Sequence, residues 1–197
     1  MLKLWHYYLF QNKLYLIKDR EQGFTLIELL LSLAISSILF LSFYSILKFT
    51  TNTCKIGEEI DELMLNGQYA IEYIKKEIRQ AEKIISIEQI EGLNEKYPNN
   101  IGFVIMRHSP EKEYNYSTYY LKNNKIYRIA INKSDANLPR FSDFSGHNIL
   151  AEHVVSIGDS NINFKTKTVD LQFIFKGVLG EEIVFKTKTF IRCPIIY

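Results

Sequence analysis

The sequence has little of what marks enzymes, metalloproteins or proteins that coat nucleic acid. Its 197 residues include only two cysteines, Cys54 and Cys193, which lie far apart and have no metal-ligand spacing. It has no nucleophile elbow, no H-E-x-x-H sequence and no phosphate-binding loop. Its net charge of +2 is too small for a protein that coats nucleic acid. We therefore predict a chain without enzymatic activity, catalytic residues, a cofactor or a metal site.

The two cysteines leave their redox state open. In an exported domain, Cys54 and Cys193 could pair as a disulfide. The alternative is two free thiols.

Charge is almost absent from residues 24–47, where Glu28 is the only charged side chain. As a helix rising ~1.5 Å per residue, this run would be about 36 Å long, and a bilayer core needs roughly 20 apolar residues. The apolar part of a cleaved secretory signal is shorter, at about 7–15 residues. We predict that residues 24–47 form a membrane-spanning helix, in which an unpaired Glu28 would be costly.

The residues before this run hold the excess positive charge of the chain. Bases outnumber acids in residues 1–23, with Lys3, Lys13, Lys18 and Arg20 against Asp19 and Glu21. Basic residues just before an apolar span predict that this end stays in the cytoplasm.

An apolar stripe continues the helical pattern beyond the membrane-length run. Apolar residues recur at three- and four-residue steps, at Ile56, Ile60, Leu63, Met64, Ile71, Ile74, Ile78, Ala81 and Ile85. The opposite face is charged and includes Glu59, Glu72 and Glu77. We predict a near-continuous helix from Phe24 to about Ser86. Its amphipathic half lies in residues 48–90 and packs its stripe on another element.

Residues 91–197 predict an antiparallel β domain that offers the surface this helix needs. Short segments rich in β-branched and aromatic residues are found at 101–107, 114–121, 126–131, 161–165, 169–176 and 182–192. Asn123 and Asn124 predict a tight hairpin, because Asn tolerates positive φ. Residues 177–180 predict a second hairpin, and residues 132–148 a polar loop. The predicted fold class is α+β, a long N-terminal helix packed on an antiparallel β-sheet.

Two weaker patterns have structural explanations. Asp159 begins a stretch that starts like a calcium loop, but Phe164 stands where the sharp turn needs Gly, so we interpret it as the entry to a strand. Lysines alternate with Thr and Phe near the C-terminus, at Lys165, Lys167, Lys176, Lys186 and Lys188. This face could hold DNA. We favour a solvated sheet face whose lysines guard an edge.

Residues 22–31 read QGFTLIELLL, with Gly23 before the aromatic Phe24 and Glu28 four residues further on. This pattern resembles the class III signal of type IV prepilins and type II secretion pseudopilins. Residues 67–81, GQYAIEYIKKEIRQA, look like the helix segment of minor pilins of the W type and minor pseudopilins of the J type. Residues 119–128, YYLKNNKIYR, are similar to the hairpin of the same group.

The resemblance implies a pilin-like fold and a path of maturation. Prepilin peptidase would cut after Gly23, remove residues 1–23 as a leader and N-methylate Phe24. Glu28 would then guide the subunit into a fibre with other major and minor pilins or pseudopilins. The protein would wait in the cytoplasmic membrane, single-pass, with its N-terminus inside and its sheet domain outside. The system stays open between a type IV pilus, a type II secretion pseudopilus and a competence pilus.

The charge of Glu28 has a physical counterpart in this scheme. Cleavage would free an ammonium on Phe24, about one helical turn from the carboxylate, so the two charges could pair within one chain or between neighbours. The competing interpretation is a membrane-anchored extracellular binding module, an adhesin or DNA receptor, that uses the same anchor without polymerising.

Overall fold

The computed structural model describes residues 23–108, 113–135 and 137–197. The chain divides into two units, Met1–Asn52 and Thr53–Tyr197. The helices are α1 (Leu26–Arg79) and α2 (Leu93–Lys96), with 3-10 turns at Ile87–Gln89 and Phe141–Asp143. The strands are β1 (Lys83–Ser86), β2 (Phe103–His108), β3 (Tyr114–Lys122), β4 (Lys125–Lys133), β5 (Gly146–Ala151), β6 (Val154–Ser156), β7 (Asn161–Asn163), β8 (Thr168–Lys176), β9 (Glu182–Phe190) and β10 (Ile195–Ile196).

The first unit consists, in its described part, of the N-terminal half of α1. Its side chains are exposed from Gly23 to Asn52, apart from the half-buried Ser36. Within the described residues, α1 is the one helix long and apolar enough to cross a membrane, with a mean hydropathy of 2.3 in its most apolar window. This agrees with the length and composition predicted for residues 24–47.

The second unit buries one face of the C-terminal half of α1. That face consists of Leu63, Gly67, Ala70, Ile71, Ile74, Glu77 and Ile78. The predicted stripe is confirmed at its centre, whereas Ile56 and Met64 remain 39% and 37% exposed. Full burial of a side chain such as Ile74 stabilises the fold by about 1.5–3 kcal/mol.

The helix ends at Arg79, earlier than the predicted end near Ser86, because the chain enters β1. Ile84 packs in the cluster that contains α1, and Ile85 packs in a second cluster on the other face of the sheet. Neighbouring isoleucines that point to opposite faces are typical of a strand. The predicted end of the helix near Ser86 is therefore wrong, and the helix ends at Arg79.

Two sheets complete the second unit. The six-stranded sheet has the order β10-β1-β2-β3-β4-β5, and its pairs are antiparallel except for the parallel pair β1–β10. In the other sheet β8 pairs with β6, β7 and β9, all antiparallel. The predicted α+β class, a long helix packed on a mainly antiparallel sheet, is confirmed.

The six-stranded sheet has a hydrophobic core on each of its two faces. Ile71 and Ile74 of α1 pack with Phe103 and Ile105 of β2 and with Phe173 of β8 in the main core. On the opposite face of the six-stranded sheet, a second core is covered by the segment between β1 and β2. It includes Ile85, Ile87, Ile90, Leu93, Tyr97, Val104, Met106, Tyr116, Tyr120, Ile129 and Phe144.

Both predicted hairpins are present. Asn123 and Asn124 have φ of 51° and 57°, which gives the tight turn between β3 and β4. In the second hairpin, the Gly177 N–H donates to the Glu181 carbonyl to close the turn between β8 and β9.

Some local predictions are corrected. Residues 132–148 include the end of β4, a 3-10 turn and the start of β5, so they are not one loop. The predicted strands miss β1, β5, β6 and β10. Strand β7 follows Asp159, as the strand-entry interpretation expected, and Asp159 accepts a hydrogen bond from the Gln172 side chain. Both cysteines are free in the structure, Cys54 exposed and Cys193 half-buried.

Candidate functional site

The candidate site lies at the N-terminus of α1, where Thr25 and Glu28 cap the helix reciprocally. The Thr25 N–H and hydroxyl both donate to the Glu28 Oε2 at 2.9 Å, and the Glu28 N–H donates to the Thr25 Oγ1 at 3.3 Å. The first N–H groups of a helix have no partner within it, and this exchange satisfies two backbone donors at once. The acid of the apolar run therefore has a partner three residues away in its own helix.

The same geometry groups the three residues of the predicted signal. Gly23, Phe24, Thr25 and Glu28 line one shallow groove. Gly23 and Phe24 are exposed, Phe24 at 83%, and a Cβ added to Gly23 would meet no atom within 4 Å. Among the described residues, Gly23 and Phe24 are therefore accessible, and Glu28 lines the same groove.

Several hydroxyl groups further along the apolar half of α1 are paired within the helix. Each donates to a backbone carbonyl three or four residues earlier, at 2.7–3.0 Å, and they belong to Ser32, Ser37, Ser42, Ser45 and Thr51. In lipid an unpaired polar group costs several kcal/mol, so such back-bonding makes these side chains compatible with an apolar environment.

A second charged cluster is centred on Glu77, at the other end of α1. Glu77 is only 2% exposed. Its Oε1 lies 2.7 Å from the Arg107 Nη2 and 2.9 Å from the Arg128 Nη2. Its Oε2 accepts hydrogen bonds from the Ser117 Oγ at 3.0 Å and from the Tyr119 hydroxyl. The carboxylate ties the helix to three strands of the six-stranded sheet.

The pKa values of Tyr119 and Arg128, two neighbours of Glu77, are both raised. Burial raises the pKa of the Tyr119 hydroxyl well above its usual range, and the negative charge of Glu77 raises it further. Burial alone would lower the pKa of Arg128, but the hydrogen bond to Glu77 and its charge outweigh this effect and raise the pKa. Arg128 stays charged and Tyr119 neutral over the physiological range.

Sequence reasoning placed Glu77 on the charged, exposed face of the helix, and this is wrong. Glu77 belongs to the buried face together with Ile74 and Ile78. Its neighbours Lys76 and Arg79 are exposed, so the local charge pattern does not separate it from them. The capping pair could have been found, because Thr-x-x-Glu before an apolar run is a recognised helix-start pattern.

Among the described residues, no group of three or more His, Cys, Asp or Glu side chains could hold a metal ion. The C-terminal lysines are largely solvated. Two of them form ion pairs with acids of the same sheet, Lys176 with Glu182 at 2.9 Å and Lys188 with Asp170 at 3.1 Å. This geometry agrees with a solvated sheet face.

The N-terminal part of the chain matches the model of a known sequence motif. Residues 18–44 match the prokaryotic N-terminal methylation motif. The chain carries a type IV prepilin-like signal. The matched region includes Gly23, Phe24 and Glu28 and ends before residues 67–81 and 119–128, on which the resemblance to a subtype depends. Searches of curated proteins and of solved structures found no match.

Proposed function

We propose that the chain is a minor pilin or pseudopilin, a structural subunit that primes or caps a type IV pilus, a type II secretion pseudopilus or a competence pilus. The observation that carries this proposal is the methylation motif at the start of an exposed, apolar helix, with Gly23, Phe24 and Glu28 around one groove. A structural role agrees better with this arrangement than an enzymatic one.

The first step is processing by prepilin peptidase. Hydrolysis of the peptide bond between Gly23 and Phe24 releases residues 1–23 and leaves an amine on Phe24, which is then N-methylated. The exposed Gly23, with no atom near its Cβ position, allows close approach to the scissile bond. Loss of the leader also removes the excess of basic residues.

Before assembly, residues 24–47 store the protein in the cytoplasmic membrane. The leader keeps the N-terminus inside, by the bias of basic residues towards the cytoplasm. The amphipathic half of α1 and the sheets then lie outside, as the single-pass topology requires.

In assembly, Glu28 has a second role besides helix capping. Its carboxylate lines the groove that also contains Phe24, where cleavage creates a positive charge. In an apolar bundle of pilin helices, an unpaired carboxylate is costly, so it pairs with the ammonium of its own chain or of a neighbouring subunit. This pairing sets the axial position of each new subunit.

The subtype rests on two segments of the second unit. Residues 67–81, similar to the helix of W-type minor pilins and J-type pseudopilins, lie mostly in α1, and residues 119–128 form the β3–β4 hairpin. We assign the chain to this minor group, near the tip of the fibre. Counting copies per fibre by quantitative mass spectrometry tests the assignment, since a stoichiometry equal to that of the major pilin would contradict it.

The processing step is tested with the full chain coexpressed with prepilin peptidase in membranes. We expect mass spectrometry to show a mature N-terminus at Phe24 carrying one added methyl group. Gly23→Leu should block cleavage, whereas Gly57→Leu, at another open glycine position, should leave it intact. An uncut wild-type chain, or equal cutting of both variants, would contradict the proposal.

A pair of variants separates the charge of Glu28 from its capping role. Glu28→Gln keeps a side chain suited to the capping box but removes the charge, and Thr25→Ala removes the cap but keeps the charge. We expect Glu28→Gln to abolish incorporation into fibres and Thr25→Ala to reduce it only mildly. Normal incorporation of Glu28→Gln would favour the anchored binding module that does not polymerise.

A further inference from the structure

Next to the end of α1, the helix-facing side of the six-stranded sheet carries a polar row. Arg107 of β2 is opposite Asn115 of β3, and Asn115 is opposite Asn132 of β4. These residues, Gln80 and His108 line an open pocket of about 460 Å³. The volume is in the range of small-molecule sites, and the lining is rich in hydrogen-bond donors.

The positive charge of Arg107 is only partly compensated inside the protein. Both oxygens of Glu77 are fully used, because Oε1 also accepts from the Arg128 Nε at 3.1 Å and Nη2 at 2.9 Å, while Oε2 accepts from Ser117 and Tyr119. Arg128 therefore holds Glu77 through two nitrogens, and Arg107 through one. One carboxylate faces two guanidinium groups in this cluster.

Apart from the contact of Nη2 with Glu77, the guanidinium of Arg107 has only weak acceptors or none. Its Nη1 is 3.4 Å from the Gln80 Oε1, and its Nη2 is 3.4 Å from the Asn115 Oδ1, which are long contacts. Its Nε is buried and has no hydrogen-bond partner among the described residues. A buried donor without an acceptor is costly, and an anion at Arg107 would supply the missing charge.

The amides around Arg107 add neutral donors to the pocket. The Asn115 side chain donates to the Asn132 Oδ1 at 2.6 Å, across the β3–β4 pair. In the described part of the chain, no hydrogen bond is made by the amide nitrogens of Gln80 and Asn132. Both residues line the pocket.

We propose that this pocket binds a carboxylate group of a small ligand, with Arg107 as the charged anchor and Gln80 and Asn132 as neutral donors. Arg107 and Arg128 share the single charge of Glu77, so the cluster has one uncompensated positive charge. A carboxylate balances that charge, whereas a phosphate carries about −1.5 to −2 charges at neutral pH and exceeds it. The proposal is independent of pilus assembly, because it concerns only the second unit.

The test is isothermal titration of the purified full chain in detergent micelles with succinate, inorganic phosphate and uncharged succinamide. We expect binding of succinate, weaker binding of phosphate and no binding of succinamide. Arg107→Gln should weaken succinate binding by at least about tenfold, because the charge-assisted bonds are lost.

Arg107 also contacts Glu77, so a loss of succinate binding in Arg107→Gln could come from a loss of folding. A second variant is needed to separate the two effects. Asn132→Ala changes an exposed residue outside the Glu77 cluster and should weaken binding about threefold at an unchanged circular dichroism spectrum. Asn148→Ala, an exposed Asn on β5, is the matched control and should have no effect. Absence of succinate binding, phosphate binding as tight as succinate binding, or full binding by Asn132→Ala would overturn the proposal.

Discussion

The two halves of α1 share one helical backbone but differ in what surrounds their side chains. From Gly23 to Asn52 the described side chains are exposed except for Ser36, although most of them are apolar. From Leu63 to Ile78 one face is buried against the sheets. The first half has a composition that suits lipid or other helices, and the second half already has its packing partner within the chain.

The two acids near the ends of α1 show the same difference. Glu28 is bonded to Thr25, three residues away, whereas Glu77 is bonded to Ser117, Tyr119 and Arg128, 40–51 residues away. A carboxylate in an unpartnered segment uses local backbone and hydroxyl donors. A carboxylate in a folded core depends on distant residues, so its loss should affect the whole second unit.

Replacing Glu77 should produce the largest effect and confine it to the second unit. Glu77→Gln leaves the half-buried Arg107 and Arg128 without their shared counter-charge, so we expect the free energy of unfolding to fall by about 3–5 kcal/mol. Urea denaturation of the full chain in micelles, followed by near-UV circular dichroism, measures the loss. Glu72→Gln, at an acid whose side chain is 63% exposed and pairs with Lys75, should change it by no more than about 0.5 kcal/mol.

Replacing Leu39 should affect membrane insertion and leave the stability of the second unit unchanged, since Leu39 belongs to the first unit. Leu39→Arg puts a charge in the middle of the apolar run, at a cost to membrane insertion of about 3 kcal/mol. We expect a lower inserted fraction by carbonate extraction and an unchanged unfolding transition of the second unit. Asn52→Arg, beyond the run, serves as the control, and equal insertion of the two variants would argue against a membrane span at residues 24–47.

Removing the Tyr119 hydroxyl measures how much its hydrogen bond to the buried Glu77 contributes to stability. Tyr119→Phe removes one donor to Glu77 while keeping the ring, so we expect a loss of about 2 kcal/mol in the free energy of unfolding. Tyr69→Phe, at a tyrosine that is 57% exposed, should change stability by less than about 0.5 kcal/mol. Similar losses in both variants would show that the bond to Glu77 contributes little.

Tyr119 also makes the second unit sensitive to alkali. Its folded-state pKa is raised above the ordinary value of 10.0, so the folded state holds the proton more tightly than the unfolded state. This contribution to stability is complete below pH 10 and decreases as the pH rises further. The decrease between pH 9 and pH 11 should be smaller in Tyr119→Phe than in the wild type.

Substitution of two glycines of α1 should give the smallest differences in stability between its exposed part and its buried face. A Cβ on Gly67 would clash with the ring of Phe185, which packs edge-on against Phe175, whereas a Cβ on Gly57 would meet no atom within 4 Å. We expect Gly67→Ala to destabilise the second unit by about 1–2 kcal/mol, through overpacking. Gly57→Ala should stabilise the helix by up to about 1 kcal/mol. Thermal denaturation of both variants would contradict this interpretation if the signs were equal.

The sequence was sufficient to predict those features that depend on residues close together in the chain. The stripe through Leu63, Ile71, Ile74 and Ile78 predicted the buried face of α1, and Asn123 and Asn124 predicted a turn whose positive φ values are observed. Gly23, Phe24 and Glu28 are also close in sequence, so their grouping at the start of α1 is a local feature.

The rest depended on contacts between distant residues. Ile84 and Ile85 continue the three- and four-residue spacing of the helix, so only pairing with β2 and β10 identifies them as a strand. Glu77 is acidic among other charged residues, and its burial follows from Arg107 and Arg128, which lie on strands far along the chain. The polar pocket likewise requires the register of β2, β3 and β4, which no local pattern specifies.

The back-bonded hydroxyls of α1 have a consequence for transfer between environments. Because Ser32, Ser37, Ser42, Ser45 and Thr51 each donate to a carbonyl of their own helix, no hydrogen bond of these groups has to be broken or formed when the surroundings change. In the proposed transfer from lipid to the side chains of other helices, the polar enthalpy of these groups therefore changes little. Shape and dispersion contacts, rather than polar partners, would then determine which apolar medium it prefers.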